Sequence, residues 1–333
     1  MATLNFRLRE KTKKHSGVRP IDVRADALQV VPLLELVFHQ NLRGRASNAL
    51  GPAMTFRLPW QPAPVVPGFV YEKDGDIAGN VSLMVTKDPN RYLVANVAVH
   101  PDQRRQGIAR KMMNAVIHYV HQRRGHKIVL QVEEKNNAAA DLYRSLGFNE
   151  IGTVIQWQAG YGALQSHIPV GVPVSARRPD TYEAFMLRPL RNDVAHGAYQ
   201  LDISTHSAEM NWPDTPSLNY YRQGLSQWWE TLVEGRHREI WLAMTHQKEV
   251  IGIGAIESDW GRPYVLRIRI HPEWRELVAR PLVAKLIRRL HYMSTRPVNA
   301  VHIKDDQIVS RLLDEAGFRP QRTLVTMCLN FKK

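Results

Sequence analysis

The chain repeats itself, and that repeat constrains its fold more than any other feature. Val99-His100-Pro101-Asp102 recurs as Ile270-His271-Pro272-Glu273, 171 residues on, and Gly147-Phe148 recurs as Gly317-Phe318, 170 residues on. One residue is therefore lost between these landmarks, and a candidate place is the turn where DQRRQGIAR becomes EWRELVAR. Upstream, Phe69 to Gly79 reads as a hairpin around an Asp74-Gly75 turn, a shape that Ile240 to Met244 and Val250 to Gly252 repeat. A period of this length turns one long α/β chain into two similar domains. A chain of 333 residues is long enough for two halves that each bury a core. The division is expected near Leu190, giving residues 1–190 and 191–333, because Leu187-Arg188-Pro189-Leu190 echoes Val18-Arg19-Pro20-Ile21.

The first half carries the chemistry. Arg104-Arg105-Gln106-Gly107-Ile108-Ala109 follows an apolar strand ending near Val99-His100 and a breaker at Pro101, and it opens a helix. Amide groups at a helix N-terminus lack intrahelical partners and sit at the positive end of the helix dipole, so an anion is their natural ligand. Gly107 lets a phosphate approach the backbone, Ala109 keeps the next turn small, and Arg104 and Arg105 can add charge-assisted contacts. Taken alone, this hexapeptide reads slightly better as an ordinary strand-to-helix turn with solvated arginines.

Two spaced motifs decide the matter. Arg104, Gly107 and Ala109 match the pattern R/Q-x-x-G-x-G/A, and Asn136, Ala139, Leu142, Tyr143, Gly147 and Phe148 match N-x-x-A-x-x-L-Y followed by G-F. In both, the chain resembles the GNAT superfamily of acyl-CoA-dependent N-acyltransferases. The resemblance implies an α/β fold with two tandem GNAT-like domains, each a mixed, mostly antiparallel sheet flanked by helices. Two central parallel strands splay apart in it, here Tyr92 to His100 and Lys127 to Glu133. It further implies that acetyl-CoA is the co-substrate. By the same resemblance, the backbone of Val97, Ala98 and Val99 would pair with its pantetheine arm, while Arg104, Arg105, Gln106, Gly107, Ile108, Ala109 and Arg110, with Asn136 and Tyr143, would complete the cofactor site.

The resemblance makes Tyr143 the acid at the thioester sulfur. An ordinary tyrosine holds its proton near pKa 10 and a thiol near 8.5, so full transfer is uphill by roughly 2 kcal/mol and hydrogen-bond donation matters as much. The competing reading is a helical tyrosine packed beside Leu142 and Phe148. The general base is poorly specified, because Asn96 and Gln131 stand where an acid would have been persuasive. Glu133, on the face of Gln131 by the period-two rule, is the candidate, with Glu134 beside it and a water relay as competitor.

The second half has lost these residues. Leu277 stands in place of Gly107, Asp306 in place of Asn136 and Leu313 in place of Tyr143. A GNAT-like domain without a competent cofactor site is expected, structural or shaping the acceptor pocket; a relocated site using His271, Arg275 or His302 has no motif behind it.

Composition narrows the partners. With 44% hydrophobic and 23% charged residues the chain reads as globular; MATLNFRLREKTKKHSG has no signal-peptide core, no apolar run reaches transmembrane length, and a cytoplasmic protein is expected. A net charge of +14 suits an anionic ligand, but no nucleic-acid motif accompanies it and no membrane partner is expected. Cys328 is the only cysteine, on an expected buried final strand, which leaves direct amine attack as the simpler mechanism. His118 and His121 lack the carboxylates or thiols of a metal site. Elsewhere the sequence predicts an opening strand over Val18 to Val23, a helix over Ala25 to Gln40 interrupted by Pro32, and a Pro-rich connection over Gly44 to Gly68. It also predicts a helix over Ala109 to Arg123 burying Met112, Val116 and Val120, and a long loop over Gln156 to Thr181. Trp212 and Trp228-Trp229 are expected in packing. Two functions fit: N-acetyl transfer to an unidentified primary amine, or non-catalytic binding or sensing of acyl-CoA.

Overall fold

A computed structural model describes residues 16–38, 68–165, 185–212, 216–222, 224, 237–258 and 262–331. Contacts divide the chain into two compact units that interleave in sequence. Unit 1 comprises residues 1–131, 138–149 and 328–333, and unit 2 comprises residues 132–137 and 150–327. The sequence placed one division near Leu190; the contacts fall instead into these interleaved pieces.

Unit 1 is built from β1 (Gly17–Pro20), α1 (Val23–Val37), β2 (Gly68–Lys73), β3 (Asp76–Val85), β4 (Arg91–Val99), α2 (Ile108–Gln122), β5 (Lys127–Glu133) and α3 (Asn137–Ser145). Its strands run in the order β1-β2-β3-β4-β5, antiparallel except for the parallel pair β4–β5. The β2–β3 hairpin closes through Asp74 and Gly75, both at positive φ (55° and 98°), the pair of left-handed residues that a tight hairpin turn demands. One face is covered by α1, whose Val30, Leu33 and Leu34 pack with Val70, Ile77 and Ala98. On α2, Met112, Val116 and Val120 are fully buried, the stripe that their spacing predicted.

Unit 2 contains β6 (Asn149–Ala159), β7 (Met186–Pro189), α4 (Ala195–Thr205), α5 (Leu218–Tyr221), β8 (His237–Met244), β9 (Val250–Ser258), β10 (Tyr264–Ile270), α6 (Arg275–Leu290), β11 (Val298–Ile303), α7 (Gln307–Glu315) and β12 (Arg319–Asn330). Its strand order is β12-β6-β11-β10-β9-β8-β7, again with one parallel pair, β10–β11. Val278, Leu282, Val283 and Leu286 of α6 anchor the core on one face, and Ala195, Ala198 and Leu201 of α4 pack with Tyr221, Ile240 and Leu242 on the other. The repeat is exact at its landmarks. Gly147 and Gly317 both take φ near 90°, and in both turns the following Phe N–H donates back to the helix, from Phe148 to the Tyr143 carbonyl and from Phe318 to the Leu313 carbonyl.

The strand after the first Gly-Phe turn leaves its own half, and the strand after the second ends outside its own. β6 follows α3 in sequence, yet it pairs antiparallel with β11 in unit 2, from Val298↔Ala159 to Ile303↔Val154. Conversely, β12 ends in unit 1, where Phe331 N–H donates to the His126 carbonyl (2.9 Å), Phe331 meets the His121 ring and Leu329 lies against Gly147. The strand after the first Gly-Phe turn thus groups with unit 2, and only the end of the strand after the second groups with unit 1.

Several expectations are corrected at the margins. Val23 belongs to α1, capped by the Asp22 carboxylate, and Pro32 lies inside a helix that continues to Val37. Gln156 to Ala159 are strand, because Ile155-Gln156-Trp157-Gln158-Ala159 alternates polar and apolar residues with Trp157 and Ala159 buried. The stretch Met186–Pro189 belongs to unit 2, where it pairs with β8. Residues 44–67, 166–181 and Trp228-Trp229 lie outside the described residues.

Candidate functional site

In unit 1 the parallel strands part. β4 and β5 pair only from Arg91↔Lys127 to Val94↔Leu130, so the backbone of Val97, Ala98 and Val99 has left its neighbour. β4 also carries a bulge. Its register against β3 slips between Ser82↔Ala95 and Asn80↔Ala98, which sets Asn96 and Val97 opposite a single residue and puts Asn96 at φ 52°. Bulges raise strand twist and re-aim the residues after them, here Val97 to Val99.

After β4, a 3-10 turn (Pro101–Gln103) leads into a loop with two left-handed residues, Arg105 (φ 65°) and Gly107 (φ 73°), the latter at the N-cap of α2. Such alternation turns successive N–H groups toward one concavity, and the first amides of α2 have no intrahelical acceptor. A Cβ built on Gly107 meets nothing within 4 Å, so the cradle is open where a phosphate would lie. Arg104, Arg105, Gln106 and Arg110 are exposed around it, Ile108 is buried beneath it and Ala109 is half-buried. Lys73 Nζ donates to Gln103 Oε1 (2.7 Å) and Gln106 Oε1 (3.4 Å), bracing the loop from β2. Sequence motifs missed Lys73, since nothing local links a β2 residue to a loop some 30 positions later. Arg110 donates to Ser145 Oγ (2.7 Å), joining α2 to α3.

Tyr143 lies on α3, 6% exposed, with its ring 6.0 Å from Phe148. Burial pushes its pKa up to about 12. Its hydroxyl is therefore a proton-bearing donor throughout the neutral range. Glu133 and Asn136 group with unit 2. Glu133 is exposed at the end of β5 with Arg322 3.9 Å away, Glu134 is paired with Lys304, and Asn136 N–H donates to the Glu133 carbonyl (2.8 Å).

Unit 2 repeats the frame without the cradle. β10 and β11 pair from Tyr264↔Val298 to Leu266↔Ala300 and then part, but β10 runs against β9 in unbroken register. The 3-10 turn Pro272–Trp274 passes directly into α6 with Arg275 in the right-handed helical conformation. The Arg275 Nε lies 3.1 Å from Asp306, which also takes His302 Nε2 (2.9 Å) and caps α7 by accepting from Val309 N–H. Leu313, at the position of Tyr143, is fully buried. On the other face, Asp202 of α4 receives Arg269 Nε (3.0 Å) and the Tyr221 hydroxyl (2.7 Å). Arg275 and His302 thus meet at Asp306 in a packed ionic network, and His271 stands at the N-cap of the 3-10 turn before α6.

Residues 37–148 match the acetyltransferase (GNAT) family. The [ribosomal protein bS18]-alanine N-acetyltransferase of Escherichia coli is 44% identical over 107 residues, 32% of this chain and 71% of that protein. Among solved structures, a GCN5-related N-acetyltransferase from Sphaerobacter thermophilus aligns over 95% of this chain and 96% of its own (TM-score 0.62, 13% identity). A tandem GNAT protein from the clavulanic acid biosynthesis pathway aligns over 95% and 98% (TM-score 0.56, 15% identity). At such identities the structural likeness is one of fold, and it extends to the tandem arrangement.

Proposed function

We propose, from the premise that this chain belongs to the GNAT acetyltransferase family and is an acyl-CoA-dependent N-acetyltransferase, that its N-terminal half carries the reaction, moving acetyl from acetyl-CoA to a primary amine by direct attack. The observation that carries the reading is the contrast between the two halves. The left-handed, open loop at Gly107 has no counterpart at Arg275, where the helix begins at once and an ion pair occupies its start.

In this reading the amides of Gln106 to Arg110 and the rim arginines hold the pyrophosphate. The freed backbone of Val97 to Val99 pairs with the pantetheine arm and polarises the thioester carbonyl, an electrostatic contribution made before the reaction begins. Tyr143 faces a leaving thiolate. With its own pKa near 12, giving up its proton to a thiolate of ordinary basicity is uphill by about 5 kcal/mol, so it acts by hydrogen-bond donation. Glu133 or a water relay receives the amine proton, and Asn136 contributes to the cofactor site. Unit 2 supports the fold or shapes the acceptor opening.

The acceptor is a primary amine. The relative from Escherichia coli is named for an alanine of a ribosomal protein, which puts a protein α-amine first among candidates. The test is a thiol-release assay with acetyl-CoA and a panel of α-amine peptides, lysine peptides, amino acids and polyamines. Release that depends on one amine class supports transfer. Tight CoA binding with no amine-dependent release supports a sensing protein instead.

A further inference from the structure

The bulge in β4 is held by a side chain that nothing in the motifs marks. Asn80 lies on β3 with its side chain fully buried, and its Nδ2 donates to the Asn96 carbonyl at 3.0 Å. Asn96 Nδ2 donates to Ser82 Oγ (3.3 Å), and Asn80 Nδ2 also reaches Ser82 Oγ (3.4 Å). The amide orientation is determined, because turning Asn80 over would set its oxygen against the Asn96 carbonyl. That orientation leaves Asn80 Oδ1 buried without a hydrogen-bond partner, a cost that a core position chosen for stability would shed by carrying an apolar residue.

Unit 2 made that substitution. His100 N–H donates to the Ala78 carbonyl and His271 N–H to the Ile251 carbonyl, which aligns Asn80 with Ile253 and Ser82 with Ala255. There β9 and β10 keep an unbroken register, and no residue of β10 is at positive φ. Within one chain, the amide and the bulge are present together in unit 1 and absent together in unit 2.

We propose that Asn80 is a positioning residue for acyl transfer: by donating to the Asn96 carbonyl it keeps Asn96 left-handed and so sets the direction of the Val97 to Val99 backbone. The inference rests on the reading of unit 1 as the catalytic half. Asn80 touches no reacting atom, and its effect passes through the bulge. A non-glycine residue at φ 52° is strained, so the bulge needs a tether.

The test uses the full chain with Asn80→Leu and Asn80→Asp, and with the double variant Asn80→Leu/Asn96→Gly. Each single variant should lower kcat on the best amine about 10-fold or more, while calorimetric CoA affinity stays within about 3-fold, since the Gly107 loop is untouched. Glycine takes the left-handed conformation without strain, so the double variant should recover a good part of the lost kcat. Rescue of kcat at unchanged melting temperature separates positioning from a general structural role. Unchanged kcat in folded Asn80→Leu, or a loss that tracks melting temperature and is not rescued, overturns the proposal; if Asn80→Leu does not fold, Asn80→Asp decides by the same criteria. If the wild type transfers acetyl to no amine, the functional reading fails separately. Backbone chemical shifts of Ala95 to Val99 then decide: shifts in Asn80→Leu or Asn80→Asp matching the wild type overturn the tether, and displaced shifts restored by Asn96→Gly sustain it.

Discussion

At the level of single residues, the proposed roles of Gly107 and Tyr143 separate binding from chemistry. Gly107→Glu puts a carboxylate against the phosphate cradle and a side chain on a left-handed backbone, so calorimetry should show CoA binding abolished. Undiminished affinity would move the site elsewhere. Tyr143→Phe keeps the packing on Phe148 and removes the donor; CoA affinity should persist while kcat falls about 10²-fold, and unchanged turnover would reduce Tyr143 to a packing residue. Both positions are marked in the sequence because short motifs fix their spacing. Asn80 was not, since a polar residue in a strand reads as solvent-facing, and its burial depends on a partner, Asn96, that is 16 residues away. The base was illegible for another reason: no acid stands in the splayed part of β4, and Glu133 shares its strand end with Arg322.

At the level of elements, unit 2 carries a buried ionic group on the face opposite α6. Asp202 on α4 and Arg269 on β10 form a buried pair, and removing one partner strands the other in the core. Asp202→Ala should therefore destabilise the protein by about 3–5 kcal/mol in a urea titration, and a loss below ~1 kcal/mol would show that water reaches the pair. Burial, reinforced by Arg269, lowers the pKa of neighbouring His206 from 6.5 to about 3. Acidification protonates this histidine first in the unfolded chain. Its contribution is complete above pH 6.5 and declines as pH falls toward 3, at up to about 1.4 kcal/mol per unit. His302, also lowered chiefly by burial, acts in the same direction. Unfolding followed at pH 7.5 and pH 5 should show a stability loss that is smaller in His206→Gln; equal losses would place the titration elsewhere. Helix α6 began where the loop was lost, and the sequence signalled this through Leu277 and the shortened turn.

At the level of the whole molecule, the repeat and the splayed strands were legible, whereas the grouping of β6 with unit 2 and of the end of β12 with unit 1 was not. Each strand is entered through the same Gly-Phe turn, so the sequence specifies a strand and leaves its partner open. Calorimetry should give one CoA per chain, in unit 1, and two equal sites would refute the reading of unit 2. A protein ending near Leu190 keeps β6 without β11 and lacks residues 328–331; it should be insoluble or show the collapsed amide dispersion of an unfolded chain. A soluble, fully active fragment would show that residues 328–331 are dispensable. The late position of these residues also sets a clock on synthesis. They are made some 180 residues behind α3, so at 5–20 residues per second unit 1 waits roughly 10–40 s for its last strand segment. Through that interval β5 has an unfilled edge, and the nascent chain is open to chaperones and to pairing with its neighbours on the same message.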